Sequence, residues 1–137
     1  MPEKCLQFSD LSARHIGVSD GLSTAYLEAI SVCLDRHHSS PQEFQLRDNG
    51  RPEVAAARWM ATDTRTKNAW ANDDDATEAG AYGLALAAIE LLRGLVAVRR
   101  AETHTGADYY LGRPDSDLED LETRCGDYLV DKPRRNA

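Results

Sequence analysis

The stretch that decides the fold runs from Asp75 to Gly126 and reads DATEAGAYGLALAAIELLRGLVAVRRAETHTGADYYLGRPDSDLEDLETRCG. Its acidic start is followed by a long alanine- and leucine-rich run that ends at Gly94, and then by short apolar segments separated by turn residues. Acidic residues favour the positive end of a helix dipole, and glycine is a common helix stop. We therefore predict a helix over residues 76–93 and strands over 95–98, 107–111 and part of 118–125.

The rest of the chain is compatible with a single domain. The protein has 137 residues, of which 42% are hydrophobic and 28% are charged, an ordinary balance for a globular protein with a buried core. No repeat, low-complexity tract or linker divides the sequence. We expect one α+β domain over residues 1–137, with frayed ends at 1–10 and 131–137. In this domain, two main helices pack on a small, mostly antiparallel sheet.

The first half of the chain predicts the second main helix. It begins near Ser19 or Asp20 and ends near His37-His38, because Pro41 prevents continuation. Apolar residues recur between these limits at steps of three and four, which indicates one buried face: Leu22, Tyr26, Ala29, Ile30, Cys33 and Leu34. The preceding residues, 11–18, are expected to be extended.

A hairpin signal follows this helix. Residues 43–47 alternate between polar and apolar and lead into Asp48-Asn49-Gly50, a strong turn sequence. Residues 53–60 are rich in alanine, and we interpret them as the returning strand rather than a helix. Residues 62–71 are expected to form a loop or an irregular helix.

Charge and hydropathy limit the function classes. The net charge of −7 argues against non-specific binding to a nucleic-acid backbone, which requires a basic surface. The longest apolar run, from Gly83 to Leu92, contains Glu90 and is too short to span a membrane. The first residues lack the pattern of a signal peptide, and three cysteines far apart indicate no disulfide framework. We therefore expect a cytoplasmic protein without a membrane partner.

Three carboxylates in the opening stretch are candidate metal ligands. Asp108 and Glu122 lie in neighbouring predicted strands, and Glu78 lies near the start of the helix before them. Such carboxylates can project from one face of a sheet, and Mg²⁺ binds through one or two carboxylates, water and substrate phosphates. A bound cation makes water a better nucleophile and stabilises charge on a phosphoryl group. The pattern is therefore compatible with a metal-dependent hydrolase.

The same residues resemble a known family. Thr105-Gly106-Ala107-Asp108-Tyr109-Tyr110, followed fourteen residues after the aspartate by Glu122-Thr123-Arg124, is similar to the core of restriction-endonuclease-like nucleases, over residues 75–126. In that family an Asp and a Glu-X-Lys triplet on adjacent strands bind metal, and a Glu often sits in the preceding helix. The resemblance implies Asp108 and Glu122 as metal ligands, Glu78 as the helix glutamate and Arg124 at the lysine position. It also implies Mg²⁺ as cofactor and nucleic acid as substrate.

Each of these residues also has a structural interpretation. Asp75 and Glu78 have the spacing of a capping box, which satisfies backbone donors at a helix start. Asp108 can finish a turn after Gly106-Ala107, and Glu122 belongs to an acidic run that must be largely solvated. Arg124 stays protonated and cannot exchange a proton with water as a lysine can. Both interpretations stay open at this point.

Other candidate sites have simpler explanations. His37 and His38 are adjacent and do not share a helix face, so they are interpreted as a cationic helix end. His15 and His104 are isolated in sequence. The aromatic residues that could stack on bases lack an accompanying basic run, and we interpret them as core and rim residues: Trp59, Trp70, Tyr109 and Tyr110. No nucleophile motif or glycine-rich phosphate loop is present.

Three functions follow in order of preference. We expect a non-catalytic binding or regulatory protein of bacterial type, with a partner protein or a second copy as its partner and no cofactor. The alternative is a nuclease-like phosphodiesterase that uses Mg²⁺, Asp108 and Glu122, and only this alternative has nucleic acid as a partner. The third is a small-ligand or metal sensor that uses His37 and His38.

Overall fold

The computed structural model of the protein describes residues 4–101 and 109–114. These residues form four helices and four strands: α1 (Leu11–Arg14), α2 (Asp20–His37), β1 (Gln42–Asp48), β2 (Arg51–Ala57), α3 (Thr64–Ala69), α4 (Asp73–Arg93), β3 (Val96–Arg100) and β4 (Tyr109–Gly112). The strands pair antiparallel as β1–β2 and β3–β4. The predicted α+β class is confirmed, with the strands divided between two small pairs. The predicted strand within 118–125 and the expected fraying of 131–137 lie outside the described residues.

The two long helices contact each other closely because α4 carries glycine where α2 crosses it. A Cβ atom added to Gly83 would lie 2.6 Å from Ile30 Cδ1 and 3.0 Å from Tyr26 Cβ. At Gly80, one turn earlier, an added Cβ would lie 3.4 Å from the Cys33 sulfur. A glycine inside a helix costs roughly 0.5–1 kcal/mol relative to alanine. Close packing of the helix pair offsets this cost.

Both long helices contribute to two buried apolar clusters. The first cluster joins the helices to α1, β3 and β4 and contains Leu11, Val18, Tyr26, Tyr82, Leu86, Leu95, Ala97, Tyr109 and Leu111. The second joins them to the N-terminal segment, β1 and β2 and contains Leu6, Phe8, Ile30, Leu34, Ala55, Ala57, Trp59 and Ala87. α4 is therefore packed on more than one side, as the spread of alanine and leucine around it indicates.

Side-chain caps determine where the long helices begin. Ser19 Oγ accepts the Leu22 N–H at 3.2 Å, and Asn72 Oδ1 accepts the Asp75 N–H at 3.0 Å. Each cap of this kind contributes about 1 kcal/mol. α4 ends at Gly94, whose φ of 66° is the left-handed value that favours glycine after a helix.

The β1–β2 hairpin is confirmed in detail. Asn49 and Gly50 have φ values of 54° and 81°, and the strands pair from Asp48 with Arg51 at the turn. Positive φ at both central residues defines a type I′ turn, which matches the twist of two antiparallel strands. The alanine-rich segment that followed the turn signal is β2, as predicted.

Part of the N-terminal segment that we expected to fray packs along β2. The Leu6 N–H donates to the Ala56 carbonyl, and the Ala56 N–H donates to the Lys4 carbonyl, both at 2.8 Å. The side chains of Leu6 and Phe8 are buried. Burying each of these side chains contributes roughly 1.5–3 kcal/mol, which holds the segment against the domain.

The extended conformation predicted for residues 11–18 is wrong. Leu11 begins the short helix α1, and the His15 N–H donates to the Leu11 carbonyl at 2.7 Å. A turn then brings Gly17 so close to β3 that a Cβ atom added to Gly17 would lie 2.5 Å from the backbone nitrogen of Arg99. Burial of Leu11 and this close backbone contact override the local sequence signal.

Two further predictions are refined. In α2, Tyr26, Ala29, Ile30 and Leu34 are buried as predicted, but Leu22 is 41% exposed because it lies in the first turn of the helix. Within residues 62–71 the chain forms the short helix α3, where Asp63 accepts the Thr66 N–H at 2.8 Å.

Replacing Gly83 by alanine tests the helix contact. We expect Gly83→Ala to lower the free energy of unfolding by about 1–3 kcal/mol, because the new methyl group overlaps Ile30, which is fully buried. The measurement is urea unfolding followed by circular dichroism. The matched control is Gly21→Ala in α2, where an added Cβ meets nothing within 4 Å. That variant should be as stable as the wild type or slightly more stable. Equal stability of the two variants would contradict the packing argument.

Candidate functional site

An exposed arginine rests on buried tyrosines beside the β3–β4 pair. The Arg100 guanidinium carbon lies 4.6 Å from the ring centroid of Tyr82 and 5.2 Å from that of Tyr109. Its Nη2 donates to the Tyr82 hydroxyl at 3.1 Å. The hydroxyls of Tyr109 and Tyr26 share a hydrogen bond. We refer to Tyr26, Tyr82, Tyr109 and Arg100 as the arginine–tyrosine corner.

Strand register and helix packing bring the corner together. Arg100, the last residue of β3, pairs with Tyr109, the first residue of β4. Tyr82 projects from α4 and contacts the Tyr109 ring edge-on, with centroids 6.1 Å apart. Tyr26 projects from α2, and its ring lies at 6.1 Å from that of Tyr82. Aromatic pairs of this kind contribute about 0.5–1.5 kcal/mol beyond burial, so the three rings form a stable support.

Within the corner, the tyrosines are neutral and support Arg100, which is the only charged member. Burial raises the pKa of the Tyr26 hydroxyl above its ordinary value, and the hydrogen bond with Tyr109 raises it further. The phenol is therefore neutral and does not act as a base near pH 7. Arg100 is the charged member, and it is exposed. Its planar guanidinium is preorganised to bind a carboxylate or phosphate through two parallel hydrogen bonds.

Arg99 adds a second cation at the same end of β3 but on the other face. Successive strand residues point to opposite faces, and the Arg99 guanidinium lies 5.8 Å from the Tyr110 ring centroid. Both arginines are exposed. Two arginines of a protein with a net charge of −7 thus lie where β3 ends.

A second polar cluster fastens α1 to α4 and β3. His15 is fully buried, and its Nδ1 accepts the Ala97 N–H at 2.9 Å. The ring proton is therefore on Nε2, which donates to Glu90 Oε1 at 3.1 Å. Glu90 Oε2 accepts the Arg14 Nε–H at 2.7 Å. Both nitrogens of His15 have structural partners, so the cluster holds the fold together rather than acting on a substrate.

Sequence reasoning missed this cluster because it treated His15 as isolated. Its partner, Glu90, lies seventy-five residues further along the chain. The one available signal was Glu90 itself, a charged residue inside the apolar run of α4. A half-buried carboxylate in such a position requires a partner.

The tryptophans are also tied to carboxylates. The Trp59 indole N–H donates to Asp35 Oδ1 at 3.3 Å, and the Thr62 N–H and hydroxyl donate to Asp35 Oδ2 at 3.1 Å and 3.2 Å. These hydrogen bonds, the Thr62 backbone bond first, lower the pKa of Asp35. The Trp70 indole donates to Glu28 at 3.0 Å. Both indoles are core or rim residues, as predicted, since Trp59 is buried and Trp70 is half-buried.

Of the residues in the nuclease-like hypothesis, only Glu78 is described. It is exposed in α4, one turn before Tyr82. Asp108, Glu122 and Arg124 lie outside the described residues. Within residues 4–101 and 109–114, no three or more His, Cys, Asp or Glu side chains come together to hold a metal ion.

The capping box predicted for Asp75 and Glu78 is wrong. α4 begins at Asp73, and its cap is Asn72, whose side chain accepts the Asp75 N–H. Asp75 is therefore inside the first turn, and Glu78 is in the second. An asparagine immediately before three aspartates supplies a better cap than the third aspartate, because it lets all three carboxylates lie at the positive end of the helix.

The two adjacent histidines lie at the end of α2, as predicted. The His38 N–H donates to the Leu34 carbonyl at 2.8 Å and caps the helix. Its ring contacts Phe44 edge-on, with centroids 5.1 Å apart. His37 is exposed in the last turn, where a cationic side chain is favourable.

Comparisons with profiles of known protein families, with curated proteins and with solved structures found no match. In the part of the chain that the structure describes, no helix is both long and apolar enough to cross a membrane.

Acid should destabilise the protein through His15. Burial lowers the pKa of His15 below its ordinary value of 6.5, and the hydrogen bond and charge of Glu90 only partly oppose this. Because the unfolded chain takes up the proton more readily, the stability contribution is complete above about pH 6.5 and falls as the pH decreases below it. Urea unfolding at pH 7.5 and pH 5.5 measures this loss.

The comparison variants are His15→Phe and His37→Gln. His15→Phe leaves the Ala97 N–H without its acceptor and should cost about 1–3 kcal/mol at pH 7.5. It should also show a smaller stability loss between the two pH values than the wild type. His37→Gln removes an exposed histidine and should behave as the wild type. An unchanged pH dependence in His15→Phe would contradict this assignment.

Proposed function

We propose that this protein is a non-catalytic binding protein that contacts a partner protein through the arginine–tyrosine corner. The observation that carries the proposal is Arg100, an exposed guanidinium held over two buried rings in an acidic protein. Arginine and tyrosine are enriched among the residues that dominate interface energies. The chemistry of the corner fits an aspartate or glutamate side chain on the partner.

The other ionisable clusters support binding over catalysis. His15 is fully buried with both ring nitrogens hydrogen-bonded, so it is not accessible as a general base. Asp35 is occupied by Trp59 and Thr62. We propose that it is a regulatory protein and that it acts in the bacterial cytoplasm. Cys33 carries a free thiol, which agrees with a reducing compartment.

Arg100→Gln tests the proposal. The variant removes the charge and the planar fork while leaving the buried tyrosines in place. We expect at least about a tenfold loss of partner affinity, since truncating a central interface arginine costs about 2 kcal/mol or more. Wild-type and variant proteins are immobilised, the proteins captured from an extract of the source cells are quantified, and the enriched partner is titrated directly.

Arg99→Gln is the matched control because Arg99 lies on the other face of β3. Arg99→Gln should retain the partner. The urea unfolding midpoints of both variants should differ from that of the wild type by no more than an ordinary surface substitution causes. The proposal would be contradicted if the wild type and Arg100→Gln captured equal amounts of the partner, or if the wild type enriched no protein.

A metal-dependent nuclease is the second candidate. The observation that favours it is the order α4–β3–β4, with Glu78 one turn before Tyr82 and with Tyr82 in contact with Tyr109, the residue after Asp108. In this proposal Asp108 and Glu122 hold Mg²⁺, Glu78 assists, and Arg124 stands near the scissile phosphate as a fixed charge. The cation supplies charge stabilisation on the phosphoryl group.

Metal titration and cleavage assays test this candidate. Millimolar Mg²⁺ or Mn²⁺ should shift or broaden the amide signals near residues 108 and 122, and Asp108→Ala should abolish cleavage of supplied DNA or RNA. Asp74→Ala, which removes an exposed carboxylate from the first turn of α4, is the control and should leave cleavage unchanged. Unperturbed amide signals at millimolar metal would exclude the nuclease.

A further inference from the structure

β1 is the outer strand of its sheet in the part of the chain that the structure describes. β1 pairs with β2 on one side. The far side of β2 is bonded to the segment from Lys4 to Leu6. Among residues 4–101 and 109–114, no segment other than β2 pairs with β1. A seven-residue strand therefore presents one unpaired edge, which is a template for another strand.

The strand register shows which backbone groups face outward. Asp48 and Arg51 flank the two-residue turn and form a hydrogen-bonded pair, and such pairs alternate with non-hydrogen-bonded pairs along the strands. Glu43, Gln45 and Arg47 are thus the residues whose N–H and C=O groups point away from β2. The bonds of Ala56, the partner of Glu43, to the N-terminal segment agree with this alternation.

We propose that β1 pairs antiparallel with β1 of a second copy of this chain, about a two-fold axis at Gln45. In this register Glu43 of each copy stands opposite Arg47 of the other, and Phe44 stands opposite Leu46. The three outward-facing residues of one copy then meet those of the other. This gives six backbone hydrogen bonds from groups that have no backbone partner among the described residues of the single chain.

Charge complementarity selects this partner and this orientation. Glu43, Gln45 and Arg47 are exposed, and the two charges have opposite sign and lie two residues on either side of Gln45. Antiparallel pairing therefore forms two Glu–Arg pairs, while parallel pairing in register would place like charges side by side, which destabilises a sheet. β1 contains neither proline nor lysine, the residues that commonly protect an edge.

The inner face of β1 favours the same pairing. Phe44 and Leu46 are half-buried against the second apolar cluster. Pairing brings Phe44 of one copy beside Leu46 of the other, so the apolar face continues across the two-fold axis. The Gln42 side chain already donates to the Glu43 carbonyl at 3.1 Å, and a carbonyl oxygen can accept a second hydrogen bond.

Charge reversal and sedimentation test the pairing on the full-length chain. The wild type should sediment as a dimer, and Glu43→Arg and Arg47→Glu should each raise the dimer dissociation constant at least tenfold, because each creates two like-charge pairs. The double variant restores two opposite-charge pairs and should recover wild-type dimerisation. Arg65→Glu, which reverses an exposed charge on α3, is the control and should have no effect.

Cysteine cross-linking tests the register. In a background with Cys5 and Cys125 replaced by serine, Gln45→Cys should form a disulfide-linked dimer, since directly opposed Cα atoms lie about 5.5 Å apart. Arg47→Cys should not, because the two copies of that position would be about 14 Å apart.

Several results would overturn the proposal. These are a monomeric wild type, a dimer insensitive to both charge reversals, efficient cross-linking through Arg47→Cys, or pairing of β1 only with a different protein. The corner around Arg100 shares no residue with β1, so failure here leaves the proposed function standing, and failure of the proposed function leaves this pairing standing.

Discussion

The contact between α2 and α4 constrains the rest of the fold, because both apolar clusters contain residues from both helices. At Gly83 the helices are too close for a methyl group, and the neighbouring Ile30 is fully buried. Separating the helices would therefore loosen the packing under β1–β2 and the support under β3–β4 together. Cores of this density tolerate neither voids nor added atoms without a cost in stability.

The polar clusters depend on that contact as well. The rings of Tyr26 on α2 and Tyr82 on α4 are neighbours, and the Tyr82 ring supports Arg100. The position of the exposed guanidinium therefore follows from the spacing of the two helices. His15 joins the turn after α1 to β3 and α4 through Ala97 and Glu90. Leaving either group of such a buried cluster unsatisfied costs more than the bond itself contributes, which is why the cluster fixes one arrangement of these segments.

The features that the sequence predicts well are those decided by neighbouring residues. Asn49-Gly50 predicts the hairpin because both residues adopt positive φ readily, and the alanine- and leucine-rich run predicts α4 as a helix packed on more than one side. The features it does not predict depend on distant partners. α1 forms where an extended segment is expected, since Leu11 is buried and Gly17 meets the backbone of β3.

The residues of the candidate site also divide into those with a local sequence signal and those that depend on distant partners. Glu78 is recognisable from a motif, and Tyr109 is expected among the core and rim aromatic residues. The position of Arg100 over the rings has no local signal, because four separate elements build that corner. The cap of α4 shows a subtler limit. Asp75 and Glu78 match a capping box in spacing, but Asn72, three residues before Asp75, accepts the Asp75 N–H, which the Glu78 side chain would accept in such a box. Spacing alone does not rank the two caps, whereas the position of the first helical turn does.

Net charge decides how the two proposed contacts form. Two copies of a protein with a charge of −7 repel each other. At physiological ionic strength this repulsion is largely screened beyond about 8 Å. Recognition then depends on charges that meet at contact distance, and each proposed surface has them: Arg100 for a carboxylate, and Glu43 with Arg47 for a second β1. The pairing of two β1 strands therefore gains nothing from long-range steering, which accelerates binding only between oppositely charged proteins.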